Sequence, residues 1–346
     1  MKKWLLILVL ISLTVMPVHA EEITAPVAPD SAQELMPAQT NSFGEDLWYV
    51  IKSAVAKLQP DIARAGSVCL AVIAAALLSS LLGSFPGMTK SVTELAVTVM
   101  VGCLLLGSAN TLISEAADTV RELSDYGKLL LPVMTTAMAA QGGITGSTAL
   151  YSGTAVFDAV LSALIAAVLI PMIYTYLALS VANGALGQEL LKKLRDLAQW
   201  LVTWLLKIIL YVFTGYMTVT NVISGTADQA AVKAAKLTIS GAVPVVGGIL
   251  SDASEAILVS AGVVKNTVGV YGMIAVISIA LGPFLRIGVH YLLLKLTGAV
   301  CGVFAGKKTT ELIQDFSGAM GLLLAMTGTV CLLLLISTVC FLKGVG

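Results

Sequence analysis

Six long apolar runs punctuate the chain, at roughly residues 65–83, 92–112, 154–182, 199–224, 267–289 and 317–342. Each holds about 20 residues or more, the length a helix needs to cross the hydrocarbon of a bilayer. The pattern predicts an all-α polytopic membrane protein with about six transmembrane helices. Residues 290–306 leave a seventh open: Lys295 interrupts them, yet Leu292, Leu293 and Leu294 and the strip Gly298, Gly302, Gly306 suit a packed span.

Ahead of these runs, Lys2 and Lys3 precede an apolar stretch from residue 4 to 16, and Val18 and Ala20 form a small-residue ending. This is the layout of a signal peptide over 1–20, and it places the following residues outside the cytoplasm. Residues 21–64 read as an exported polar region. Its first part, 21–43, has prolines at 26, 29 and 37 and reads as a disordered linker; 44–63 reads as a short amphipathic helix with Trp48 at headgroup level. The multi-span domain then occupies 65–346.

Composition sharpens the membrane reading. Hydrophobic residues make up 58% and charged residues 12%, with zero formal net charge, whereas soluble domains carry about 25% charged residues. So few charges cannot cover a globular surface in water, and a neutral chain offers no electrostatic case for nucleic acid. The basic clusters Lys192, Lys193, Arg195 and Lys307, Lys308 fall inside when the start is outside, but basic residues are nearly as frequent in the other loops. The orientation therefore rests on the signal peptide. The five cysteines (69, 103, 301, 331, 340) lie in apolar runs without C-x-x-C spacing and read as small buried hydrophobes.

Two stretches correspond at an offset of 108–115 residues, by subtraction of matched positions. Asn110, Ala117 and Asp118 answer Asn221, Ala227 and Asp228. Lys128 and Pro132 answer Lys236 and Pro244, Pro171 answers Pro283, and Lys192 and Lys193 answer Lys307 and Lys308. This points to two parallel repeats, 92–198 and 199–316, a device common in transport proteins. It also pairs 290–306 with a stretch that is no separate span, which favours six spans.

Polar chemistry is sparse. Residues 113–130 place Ile113, Ala116, Val120, Leu123 and Leu130 on one helical face, and suit a helix lying on the outer membrane surface or docking a partner. Residues 188–201 repeat the pattern with Leu190, Leu194, Leu197 and Leu201. The segment 225–266 is polar at its ends and Gly-rich in its middle; it fits a re-entrant hairpin, with 129–147 as its repeat partner, or an exported helical hairpin. Lys207 and Asp158 lie inside spans at levels about 12 Å apart, too far for a direct ion pair without tilt. No paired deep charge is visible, a mild argument against a transporter. Walker, H-E-x-x-H, G-x-S-x-G and dinucleotide motifs are absent, so neither an enzyme nor a cofactor is expected.

One stretch carries a family resemblance. Thr220 and Asn221 are followed by Gly225, Thr226, Ala227 and Asp228, and then by Lys233 and Lys236. Pro244, Gly247 and Gly248 come next, then Ser251, Asp252 and Glu255, then Lys265, Asn266 and Gly269. With the export signal and the multi-span body, these resemble the stage III sporulation protein AE family, over about 45–346 and most specifically over 214–290. The resemblance implies a membrane subunit of the sporulation channel, or feeding tube, in the mother-cell membrane around the forespore. It implies as partners other stage III sporulation proteins, including a cytoplasmic ATPase, and the forespore-side stage II sporulation protein Q. The candidate conduit or interface residues are then Asn221, Asp228, Lys233, Lys236, Pro244, Gly247, Gly248, Asp252, Glu255, Lys265 and Asn266, with Lys207 and Asp158. The alternatives are a stand-alone secondary transporter built from two repeats and a structural membrane scaffold.

Overall fold

The computed structural model describes residues 24–37, 42–82, 90–242 and 247–343, with side chains except at 82, 90–91 and 221–261. The expected signal peptide lies outside the described residues. Every described element is helical: a single turn α1 (Asp30–Gln33), then α2 (Phe43–Ala56), α3 (Gln59–Leu82), α4 (Lys90–Ala140), α5 (Ile144–Leu186), α6 (Glu189–Ala242), α7 (Gly247–Cys301) and α8 (Lys307–Lys343). Six of them, α3 to α8, are long and apolar enough to cross a membrane.

Local chemistry explains where helices end. Among the described residues two glycines take positive φ, at Gly142 (92°) in the turn between α4 and α5 and at Gly187 (69°) closing α5. At Gly187 the left-handed backbone lets its N–H reach the Asn183 carbonyl at 2.7 Å, ending the helix without a Cβ penalty. Within α5, residues Ile165–Leu169 widen into a π-turn just ahead of Pro171. Proline has no N–H for the preceding turn, and the local register shift accommodates that missing bond inside an unbroken rod. Ser42 caps α2 by accepting the Glu45 N–H at 3.3 Å.

The shape is two long hairpins in sequence, α4–α5 and α6–α7, with α8 packed against all four of their helices. Leu312, Phe316, Ala319, Leu323, Met326, Val330, Leu333 and Leu334 of α8 are almost completely buried, so this helix fills the middle of the bundle. The sheath is apolar outward: Leu70, Leu78, Leu81, Tyr211, Leu292 and Leu296 are exposed, as a lipid-facing surface requires.

The six-span expectation holds, and the two amphipathic stretches turn out differently from one another. The stretch 290–306 forms no seventh span: 290–301 continues α7, because Lys295 sits on the exposed side of an otherwise regular helix. Residues 113–130 do not lie along the membrane surface. They are the middle of α4, and Ile113, Ala116, Val120, Leu123 and Leu130 are all buried in the bundle core. The apolar face was legible in the periodicity; what it packs against was not. The stretch 188–201 is reversed, with Leu190, Leu194 and Leu197 exposed while Arg195, Ala198 and Val202 are buried.

The expected disordered linker also differs. Residues 24–37 lie in the bundle as a strap, with Ala28, Ala32 and Leu35 buried. The strap is tied by Ser31 donating to Glu122 at 2.8 Å, by the Ala28 N–H reaching the Tyr271 hydroxyl at 3.4 Å, and by a Lys57–Glu34 ion pair at 2.7 Å. The hydrogen bond and charge of Lys57 hold the Glu34 carboxyl below the usual glutamate range. A depressed carboxyl pKa favours the tied state above the unfolded pKa and loses that effect as pH falls through the folded value. Glu34→Gln should therefore speed amide exchange in 24–37 relative to wild type at neutral pH. The two should converge in acid; equal exchange at neutral pH would mean the pair holds nothing.

Candidate functional site

The bundle brings charges together from distant parts of the chain at two levels. At the first, Arg286 of α7 donates from Nε to Asp61 Oδ2 of α3 at 2.9 Å, and from a terminal nitrogen to Glu115 of α4. This triad borders a cavity of about 300 Å³ under the strap, lined also by Ser31, Lys57, Glu122, Ser278 and Pro283. The buried Ser278 hydroxyl finds no hydrogen-bond partner among the described residues.

At the second level, Arg195 of α6 donates to Asp315 Oδ2 of α8 at 2.6 Å and, from Nε and a terminal nitrogen, to Asp196 Oδ1 at 3.0 and 2.7 Å. The Arg195 and Asp315 side chains are only 9% and 13% exposed. With a 1.5 Å rise, Arg195 lies ~9 Å above the start of α6 and Asp315 ~12 Å above the start of α8. Beside the pair, a crevice of about 640 Å³ opens between α6, α7 and α8, lined by Gln199, Thr203, Tyr291, Lys295, Gln314 and Ser317. Close approaches hold this end: the Thr98 and Thr309 hydroxyls share a hydrogen bond at 2.9 Å, and a Cβ on Gly184 would come within 2.8 Å of Thr98.

Paired buried charges therefore exist, contrary to the sequence expectation. Arg195 and Asp315 are 120 residues apart, and Asp61 and Arg286 are 225 apart, so no local spacing could announce either pair. The continuation of α7 to Cys301 puts Arg286 ~22 Å from that end of the helix.

Of the candidate residues, Asp158 is buried and accepts a hydrogen bond from the Ser124 hydroxyl at 2.7 Å. Lys207 is exposed on α6, so the two do not pair. Lys265 is buried and Asn266 exposed on α7. The side chains of Asn221, Asp228, Lys233, Lys236, Gly247, Gly248, Asp252 and Glu255, and all of Pro244, lie outside the described residues. The backbone of 225–242 belongs to α6 and that of 247–266 to α7; 129–140 belongs to α4. With Lys207 facing outward, Lys207→Leu should change stability by less than about 0.5 kcal/mol. Thermal unfolding of the purified protein checks this, and a large loss would mean the ammonium has a partner in the bundle.

Among the described residues no group of histidine, cysteine and carboxylate side chains is arranged to hold a metal. The arrangement suits packing, ion pairing and binding of polar or charged groups at the bundle surface. No solved structure matches the chain. It is 22% identical over 273 residues to stage III sporulation protein AE of Bacillus subtilis (strain 168), covering 79% of this chain and 68% of that protein. The family model described as stage III sporulation protein AE matches residues 33–344. A match across nearly the whole helical bundle, strap end included, means that the chain belongs to the stage III sporulation protein AE family, and with it to the proteins of sporulation.

Proposed function

We propose that this protein is a membrane subunit of the sporulation channel, or feeding tube, that joins mother cell and forespore. It sits in the mother-cell membrane around the forespore. Its partners are other stage III sporulation proteins of the same complex, including a cytoplasmic ATPase, and the forespore-side stage II sporulation protein Q.

The observation that carries this reading is helix length. The 51 residues of α4 and 55 of α7 correspond to ~77 and ~83 Å of helix, against ~30 Å of hydrocarbon. A bundle this long reaches well beyond one membrane face. With the export signal setting the orientation, the excess lies in the space between the two membranes, where a connecting apparatus is built. The filled centre adds to the argument. Because α8 occupies the middle of the bundle, a conduit made with this protein runs between copies or beside partners.

A stand-alone transporter is the second reading, favoured by the buried Arg195–Asp315 pair beside a crevice that holds Lys295. One experiment separates them. A tagged copy is isolated in mild detergent from sporulating cells at engulfment, and a portion is reconstituted into vesicles. Co-purification of the ATPase and the other channel proteins, with vesicles that take up no solute, supports the subunit. A chain that purifies alone and moves solute by itself overturns it.

A further inference from the structure

We propose that the crevice between α6 and α7 binds the headgroup of an acidic phospholipid from the leaflet on the Lys307 and Lys308 side. The first argument is charge. Lys295 is the one charged side chain lining the crevice among the described residues. Its ammonium donates to the Tyr291 hydroxyl at 3.0 Å and stands 5.2 Å from the Tyr291 ring centre, and it forms no ion pair among the described residues. A cation facing an open pocket at membrane depth, held by a neutral phenol, leaves its charge available to an anion.

The second argument is the donor set. Gln199 and Gln314 bring amide groups to the same pocket, while the Thr203 hydroxyl is committed, donating to the Gln199 backbone carbonyl at 2.9 Å. Ser317 is committed, donating to the Tyr291 carbonyl at 3.2 Å, which fixes the α7–α8 wall. Amide donors beside one ammonium match the oxygens of a phosphodiester. Asp315 is not part of the lining, and its pairing with Arg195 at 2.6 Å offsets its charge.

The third argument is position. Lys295 lies six residues before Cys301, ~9 Å from the end of α7. That is the depth from which a lysine reaches the headgroup region. On α6, Trp200 and Trp204 stack with ring centres 5.7 Å apart and are exposed beside Gln199 and Thr203; tryptophan concentrates at this interface. Leu292, Leu296 and Val300 are exposed on α7 beside the crevice residues Tyr291, Lys295 and Ala299. A lipid can place its phosphate at Lys295 and its chains along these side chains. The volume of about 640 Å³ is in the range of sites that take small molecules.

The test uses the full chain, delipidated in detergent, with labelled phosphatidylglycerol as the probe and phosphatidylcholine and glycerol 3-phosphate as competitors. Wild type should bind phosphatidylglycerol at least fivefold more tightly than phosphatidylcholine. Lys295→Gln should remove that preference. Ala299→Phe, which narrows the mouth from an exposed position, should weaken binding of both lipids. Lys192→Gln and Lys207→Gln, exposed lysines outside the crevice lining, should bind as wild type. Equal preference in wild type and Lys295→Gln overturns the proposal. So does displacement by glycerol 3-phosphate at concentrations comparable to the lipid, which assigns the pocket to a soluble anion. If Ala299→Phe instead dissociates a dimer of the chain while leaving lipid binding unchanged, the crevice belongs to a second copy and the lipid site is refuted.

Discussion

Arg195→Met is expected to lower the unfolding free energy of the detergent-solubilised protein by about 3–5 kcal/mol, the range for breaking a buried ion pair. The reason is what remains. Without the guanidinium, the Asp315 carboxylate, 13% exposed, has lost its 2.6 Å partner at a mostly buried site. Its charge must then be neutralised by taking up a proton or be hydrated by opening the α6–α8 contact. Asp196, 54% exposed, keeps access to solvent and contributes little to the loss. The double variant Arg195→Met, Asp315→Leu should recover most of the stability, because two apolar side chains of similar size fill the site without a charge. A single variant within about 1 kcal/mol of wild type would show that the pair is hydrated and does not hold the helices. A double variant as unstable as the single would show that the residues fill a shape the apolar pair cannot.

Gly153→Val is expected to cost about 1–3 kcal/mol by overpacking and to open the α5–α6 contact. A Cβ at Gly153 would overlap the Tyr216 ring. That ring cannot easily retreat: its hydroxyl donates to the Ala149 carbonyl at 3.0 Å and it packs against Phe157, with ring centres 5.8 Å apart. Phe157 in turn packs edge-on against the buried Phe213, with centres 5.3 Å apart. Small residues matter here because in lipid the helices are held by close packing rather than by expulsion of water. Thermal unfolding of Gly153→Val, Tyr216→Ala and the double variant measures the coupling. The double should lose less than the sum of the singles by at least about 0.5 kcal/mol. Strict additivity would mean that the helix shifts to admit the valine and that Tyr216 is not the obstacle.

The family resemblance was legible in sequence, chiefly in the stretch from Asn221 to Gly269, and the match over 33–344 agrees with it. The candidate residues of that stretch were chosen from sequence order alone, and of them Lys265 and Asn266 have described side chains. Lys207 illustrates the limit of reading depth without direction. Its level along α6 was readable from spacing, but it faces outward, which a one-dimensional pattern cannot report. Asp158 was readable as a charge inside a span, yet its partner is Ser124 on the preceding helix, not Lys207.

The sequence by itself determined that this protein is a helical membrane protein with six spanning helices. Bilayer thickness sets the run length, and the scarcity of charges excludes any other solvent for most of the surface. It also determined that 113–130 and 188–201 have one apolar face each, because helical periodicity is local. Only the tertiary structure decided which way those faces turn. The 113–130 face is buried and the 188–201 face exposed because lipid accepts an apolar face as readily as a protein core does. In water, an apolar stripe points inward; in a membrane, it does not say which way is in. The folding back of 24–37, the meeting of Asp61 with Arg286, and the pairing of Arg195 with Asp315 were equally closed to the sequence. Each is a contact between residues far apart in the chain, selected because a buried charge or polar group must find its complement somewhere in the bundle.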